Sequence, residues 1–239
     1  MKAIIIGATS GIGRALAIEM SREGWIVGAS GRRVDLLDSL QEEMPGKCFK
    51  ARMDLTNVTE AVSALEGLID SMDGVDIIVI NSGVGSASPE FPLSDELQTV
   101  AVNVAGFTAM ANAAYHYFSG RQGGHIVGMS SVASVRGGPA ADYHASKAYV
   151  SRYLEGLACR SGSKKAGIAV TDIRPGFVET AMTEGADTFW QASVEEAARQ
   201  MLRAIRKKRR VVYVTRRWRL IAFLMSSLPF GLYRRAISR

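Results

Sequence analysis

The stretch Tyr143-His144-Ala145-Ser146-Lys147 holds a phenol and an amine four residues apart. On a helix that spacing puts both on one face, one turn apart. A phenol titrates near pH 10, too high for acid–base work at neutral pH, and a neighbouring ammonium favours its ionised form. Bringing it to neutrality takes roughly 4 kcal/mol, within reach of two cations in a closed site. Ser130-Ser131 follows an apolar run, at the carboxyl edge where open α/β sheets bind ligands. Each residue has a structural alternative: Lys147 as a surface residue and Ser131 as a strand-end cap, and a further polar candidate, Asn103 in the helical stretch Ser94–Phe118, has that of a helix kink.

A second cluster points to a phosphate-bearing ligand. Ile4–Ile6 runs into Gly7-Ala8-Thr9-Ser10-Gly11-Ile12-Gly13, and a helical pattern begins there. Glycines at a sharp strand-to-helix turn let the backbone approach a pyrophosphate, which then meets the free N–H groups and positive end of the helix. The next strand ends at Ala29-Ser30-Gly31-Arg32-Arg33. A ribose 2′-hydroxyl calls for an acidic residue here, and Ser30 and Gly31 supply none. Arg32 and Arg33 suit a 2′-phosphate instead, so the expected cofactor is NADP(H). A charge-assisted bond of that kind contributes roughly 1.5–3 kcal/mol. Arg14 is a further candidate for the phosphate.

These groups need a frame. Strand-like runs at Ala3–Ile6, Trp25–Ser30, Cys48–Met53, Val75–Ile80, His125–Met129, Gly167–Ile173 and Val211–Val214 are rich in Val and Ile and do not alternate in polarity. That character suits strands buried on both faces. Helical patterns lie between them, at Gly11–Arg22, Val34–Glu43, Val58–Met72, Ser94–Phe118, Asp142–Cys159 and Val194–Arg206. The alternation predicts an α/β fold: a single doubly wound Rossmann-type domain, with a seven-stranded parallel sheet and helices on both faces. At 239 residues, such a domain buries about 70–75% of its unfolded surface and needs no staple. Cys48 and Cys159 are isolated, and His116, His125 and His144 lack metal-ligand spacing, so no disulfide and no metal are expected.

Taken together, these motifs resemble the short-chain dehydrogenase/reductase family from Lys2 to about Thr183. Gly7, Gly11 and Gly13 match its cofactor glycines, with Thr9, Ser10 and Ile12 in the same loop. Asp54-Leu55-Thr56 matches its adenine contact, and Asn81-Ser82-Gly83 its turn after the fourth strand. Pro175-Gly176-Phe177-Val178-Glu179-Thr180 matches the segment at the nicotinamide carboxamide. The resemblance implies a catalytic tetrad of Asn103, Ser131, Tyr143 and Lys147. In that set Tyr143 is the general acid or base, and Lys147 binds the nicotinamide ribose and lowers the Tyr143 pKa. Ser131 holds the substrate oxygen, and Asn103 holds a water in a proton relay. The resemblance also implies a homo-oligomer, dimer or tetramer, built on the helices carrying Asn103 and Tyr143. Three departures stand out. Ile6 replaces a threonine, Ile80 replaces an asparagine, and the Ser131–Tyr143 segment is about one residue short, which leaves Ser130 as the rival to Ser131.

Substrate choice falls to the segment after Thr180, with Met182, Phe189 and Trp190, and to Val84, Val135 and Pro139. An apolar lid implies an apolar substrate body, and simple packing of Phe189 and Trp190 on the sheet is the structural alternative. Residues 1–215 form the expected catalytic domain and 216–239 a basic, apolar helical extension of it. Residues 201–239 hold 12 of the 29 Lys/Arg and none of the 23 Asp/Glu, so the rest carries 17 basic against 23 acidic groups. The apolar run Leu220–Tyr233 contains Pro229 and is too short to span a bilayer of roughly 30 Å. Packing on its own domain or a second subunit is the first expectation, and peripheral membrane contact the second. No recognition motif accompanies the Arg206–Arg210 run, so nucleic acid is not an expected partner. With no signal peptide at Met1–Ile6, the expected location is cytoplasmic. The function predicted is hydride transfer between nicotinamide and a carbonyl or alcohol carbon. The alternative is a cofactor-binding regulator without turnover. An epimerase would need a larger C-terminal domain than the residues after Thr180 can build.

Overall fold

A computed structural model describes residues 1–85, 88, 90–121, 123–163, 167–183 and 189–237; the side chain of Met182 lies outside the described part. Seven strands, β1 (Lys2–Ile6), β2 (Ile26–Gly31), β3 (Cys48–Arg52), β4 (Ile77–Ile80), β5 (Gly124–Met129), β6 (Ile168–Pro175) and β7 (Val211–Val214), form one sheet in the order 3-2-1-4-5-6-7. Every pairing is parallel. The helices α1 (Gly11–Arg22), α2 (Val34–Glu43) and α7 (Val194–Arg206) cover one face. On the other lie α3 (Val58–Ser71), α5 (Phe107–Gly120) and α6 (Ala141–Ser163).

Side-chain alternation along the strands explains the two layers. Ala3, Ile5, Val27, Val79 and Val127 meet Leu16, Leu40 and Met201 on one side. Ile4, Ile6, Ile78, Ile80 and Ile126 meet Leu65, Phe107 and Leu154 on the other. With both faces apolar, the strands read as continuous hydrophobic runs.

The expected helix Ser94–Phe118 is not continuous. It consists of α4 (Leu93–Thr99), a π-helical segment over Val100–Gly106, and α5. The wider turn carries Asn103, buried at 1% exposure.

The tail forms two short helices, α8 (Trp218–Ser227) and α9 (Phe230–Ile237), separated at Pro229. They pack on their own domain through Trp218, Ala222 and Tyr233. Arg136 donates to the carbonyls of Met225 (2.6 Å) and Leu228 (2.5 Å), satisfying the end of α8. It also lies over the Tyr233 ring, whose hydroxyl donates to Gly137 O at 2.6 Å. Among the described residues no helix is long and apolar enough to cross a membrane. No group of three or more His, Cys, Asp or Glu there could hold a metal.

Candidate active site

The glycine loop is shaped by close approach. Gly7 sits at φ +90°, and a Cβ on it would lie 2.5 Å from Ser82 Oγ. A Cβ on Gly13 would lie 2.1 Å from Gly7 O, so only glycine lets α1 start this close to β1. Asn81 Nδ2 donates to Gly7 O at 2.7 Å and pins the loop to the end of β4. Ser10 precedes α1 but gives the helix no side-chain cap, and no acidic residue occupies its first turn. An uncapped helix start beneath a glycine cradle fits the pyrophosphate of a dinucleotide. From the far side Thr180 closes on the loop, with its methyl 3.2 Å from where a Gly11 Cβ would stand.

Arg33 reaches back to the same loop, donating to Thr9 Oγ1 (3.0 Å) and Ser10 Oγ (2.9 Å). Arg32 is exposed, near enough to Asp54 to help hold its carboxyl below the ordinary value. Burial pushes Asp54 up, and the N–H and hydroxyl of Thr56 outweigh this with Arg32 and Arg52. Arg14 is engaged with α2. It pairs with Glu43 (2.7 Å) and donates to Leu36 O and Ser39 Oγ, tying α1 to α2. Leu55 and Ile12 present their side chains to the core.

The four residues matched to a tetrad converge at the carboxyl edges of β4 and β5. Lys147 is buried on α6, its Nζ donating to Met129 O at 3.0 Å and standing 5.6 Å from the Tyr143 ring centre. Burial lowers its pKa to about 8, against the pull of Asp172. Burial raises the Tyr143 phenol, and a hydrogen bond from Ser131 partly offsets this. In the protein alone the phenol is therefore held neutral rather than lowered by Lys147. Asn103 accepts from Val84 N (2.8 Å) and donates to Val84 O (2.7 Å) and Ser146 Oγ (3.0 Å). Its amide thus fixes the turn holding Gly83 against α6. A Cβ on Gly83 would lie 2.8 Å from Lys147 Nζ, and one on Gly85 2.6 Å from the Tyr143 ring.

The neighbouring serines separate by partner. Ser131 faces Tyr143 and accepts from Ala133 N at 3.1 Å. Ser130 donates to Asp172, which also accepts from Ser151 Oγ (2.9 Å) and Arg174 Nε (2.8 Å). Arg174 continues to Tyr213 at 3.0 Å. Sequence reading passed over this buried network. Its signal was a carboxylate within the apolar run Gly167–Ile173, where an unpaired charge would be costly.

An aromatic wall stands at the same edge. Phe177 packs edge-on against Trp218 (5.2 Å) and Phe189 (6.0 Å). Phe189 also packs against Trp218 (5.3 Å) and Trp190 (5.6 Å). Val135 joins the cluster, while Val84 packs with the core. Phe189 and Trp190 nonetheless stay about half exposed. Gly176 admits Trp218, since a Cβ there would lie 2.1 Å from the indole.

At the two positions that depart from the expected polar pair, Ile6 and Ile80 lie opposite one another in the sheet, both fully buried. The departures compensate each other with an apolar pair.

Comparison with known proteins bears on the family and the fold. The sequence pattern of the short chain dehydrogenase family matches residues 1–191. A serine 3-dehydrogenase of Rhizobium radiobacter is 35% identical over 188 residues, 75% of this chain and 73% of its own. An uncharacterized oxidoreductase of Mycobacterium tuberculosis is 29% identical over 245 residues, 98% of this chain and 96% of its own. Among solved structures, levodione reductase superposes with a TM-score of 0.81 at 19% identity, over 89% of this chain and 95% of its own.

Proposed function

The chain belongs to the short-chain dehydrogenase family, and on that premise we propose that it is an NADP(H)-dependent oxidoreductase reducing a carbonyl or oxidising the corresponding alcohol on an apolar molecule. The observation that carries this reading is the convergence of Ser131, Tyr143 and Lys147 beside a glycine cradle bounded by Arg33. The bound nicotinamide supplies the hydride in reduction and accepts it in oxidation. Everything else falls to the chain. Tyr143, neutral in this setting, donates its proton to the carbonyl oxygen as charge develops there, and takes it back in the reverse direction. Ser131 orients that oxygen. Lys147 stays charged below about pH 8 and holds the ribose side of the cleft. With the alcohol as substrate Tyr143 would act as the base, its phenolate favoured by the Lys147 ammonium and by the positive charge that an oxidised nicotinamide would bring. Asn103 acts here as a positioning residue through Val84 and Ser146.

The absence of an acid at Ser30 and Gly31, with Arg33 on the loop, supports NADP(H) over NAD(H). The apolar substrate rests on the wall of Phe177, Phe189 and Trp218. Leu93, Leu97 and Val100 are exposed on and beside α4, which supports a homo-oligomer formed on that face. The same reading takes Pro175, Gly176, Val178 and Thr180 as cofactor contacts, 216–239 as an extension of the catalytic domain, and its outer face as a peripheral membrane contact of a cytoplasmic protein.

The test is a titration with NADPH and NADH, followed by turnover of a ketone and aldehyde panel. NADPH should bind at least about tenfold more tightly than NADH, and Arg33→Ala should erase most of that gap. Tyr143→Phe should keep NADPH affinity and lose turnover. Equal binding of the two cofactors would overturn the NADP(H) reading. A functional Tyr143→Phe protein would overturn the catalytic one in favour of a cofactor-binding regulator.

A further inference from the structure

Two surface features meet at the C-terminal edge of the sheet. One is a groove of about 1180 Å³ between α7, β7 and the start of α8. Arg203, Lys207, Arg209, Arg216, Arg217 and Arg219 line it, with Glu196 as the single acidic side chain. Among the described residues none of these six cations forms an ion pair with a carboxylate. Arg206 and Arg210, in the same basic run, are instead paired with Glu23 and Glu155. The other feature is the outer face of the tail. Leu220, Phe223 and Leu224 on α8 are 61%, 66% and 47% exposed, and Phe230 and Leu232 on α9 are 67% and 55%. The inner face of α8 is meanwhile fully engaged by Trp218 and Ala222. Such large apolar side chains side by side on a protein surface mark an interaction site.

Charge decides what covers it. A second copy docked face to face would bring arginine against arginine, because residues 201–239 contain no acidic side chain. A nucleic acid would meet the groove but leave the leucines and phenylalanines in water. An anionic lipid bilayer satisfies both, with headgroups in the groove and acyl chains under the helices. We propose that the basic groove and the outer face of α8–α9 dock together on an anionic membrane surface. This deepens the reading above, on which it rests for the site it serves. Arg217 joins the two regions, donating to Trp190 O at 2.9 Å and lying over its ring. Phe189 and Trp190, about half exposed, pack on each other beside Trp218 at the start of α8. The docked enzyme thus presents its substrate wall at the lipid boundary, and the substrate class it favours is a carbonyl or alcohol dissolved in lipid.

The experiment uses the full chain with vesicles of phosphatidylcholine alone or mixed with phosphatidylglycerol, read by co-sedimentation. NADPH binding in lipid-free solution is measured separately, so that loss of the enzyme reading and loss of the membrane reading show up in different assays. Wild-type protein should partition at least about tenfold more onto anionic vesicles, and molar salt should remove the difference. Arg216→Gln with Arg219→Gln should weaken binding about fivefold per arginine. Phe223→Glu with Leu232→Glu should abolish binding while NADPH affinity stays unchanged. Equal partition onto both vesicles, or variants that sediment like wild type, would overturn the proposal. So would a drop in lipid-free mass by sedimentation velocity in the Phe223→Glu/Leu232→Glu protein, which would assign the face to a second copy.

Discussion

Asp172 lies mid-strand with 2% exposure, and the hydroxyls and guanidinium around it satisfy its charge. Its position also bears on chemistry. Burial holds Lys147 down at about 8, and Asp172 is the group pulling it back up. Asp172→Asn removes that pull, so the amine loses its proton at lower pH. The alkaline limb of the kcat/KM profile should move toward neutrality, with activity at pH 8 falling about fivefold for a shift of about one pH unit. Thermal stability should fall as well, because Arg174 keeps a partly buried charge. The moved limb is what a purely structural carboxylate would not produce. At this scale sequence spacing was informative for Tyr143 and Lys147, since one helical turn fixes their common face. It was silent on Ser130 against Ser131, because the partner of Ser130 lies about forty residues away on β6 and that of Ser131 comes into reach only when the start of α6 folds back on β5. It also misplaced Arg14, whose partner Glu43 becomes a neighbour only when α1 and α2 pack.

The interrupted helix between β4 and β5 shows why element boundaries escaped the sequence. Nothing in Ser94–Phe118 breaks helical periodicity, and Gly106 has an ordinary helical φ of −61°. The π-helical turn answers to its surroundings: Asn103 is tied at both ends of its amide to Val84, and Gly106 presses on Leu55. π-Helical turns of this kind often coincide with functional sites. A Cβ on Gly106 would lie 2.6 Å from Leu55 Cβ and 2.7 Å from Leu55 O. Gly106→Ala should therefore cost about 1–3 kcal/mol by overpacking, although its backbone conformation suits alanine. The displaced turn should also loosen Asn103 from Val84. Thermal unfolding alongside NADPH titration checks both effects, and an unchanged cofactor affinity would separate the turn from the binding site.

Across the whole molecule, the sheet sets the acid limit of stability through His125. The ring is buried at 2% exposure, with Nε2 2.8 Å from Thr171 Oγ1 and Nδ1 unpartnered among the described residues. Burial, helped by Lys208, lowers its pKa to about 4. The unfolded chain binds this proton near pH 6.5 and the folded chain near 4, so stability is full above 6.5 and lost as pH falls between them. The loss approaches about 3 kcal/mol near pH 4. Urea midpoints at pH 7 and 4.5 should differ accordingly, and His125→Gln should flatten the difference. The seven parallel strands and two helical layers were legible, because strands buried on both faces cannot hide their composition. Strand order was not, since the β-runs other than β3, with its Lys50 and Arg52, share one apolar character. That order has a consequence for how the chain is made. β2 pairs with β1, β3 with β2, β4 with β1, and each later strand with the one before it. Each new strand finds a partner already made, so a chain emerging from the ribosome can extend its sheet outward as it lengthens. Trp218 arrives last and completes the aromatic wall, leaving the nascent protein with its glycine cradle before that wall is closed.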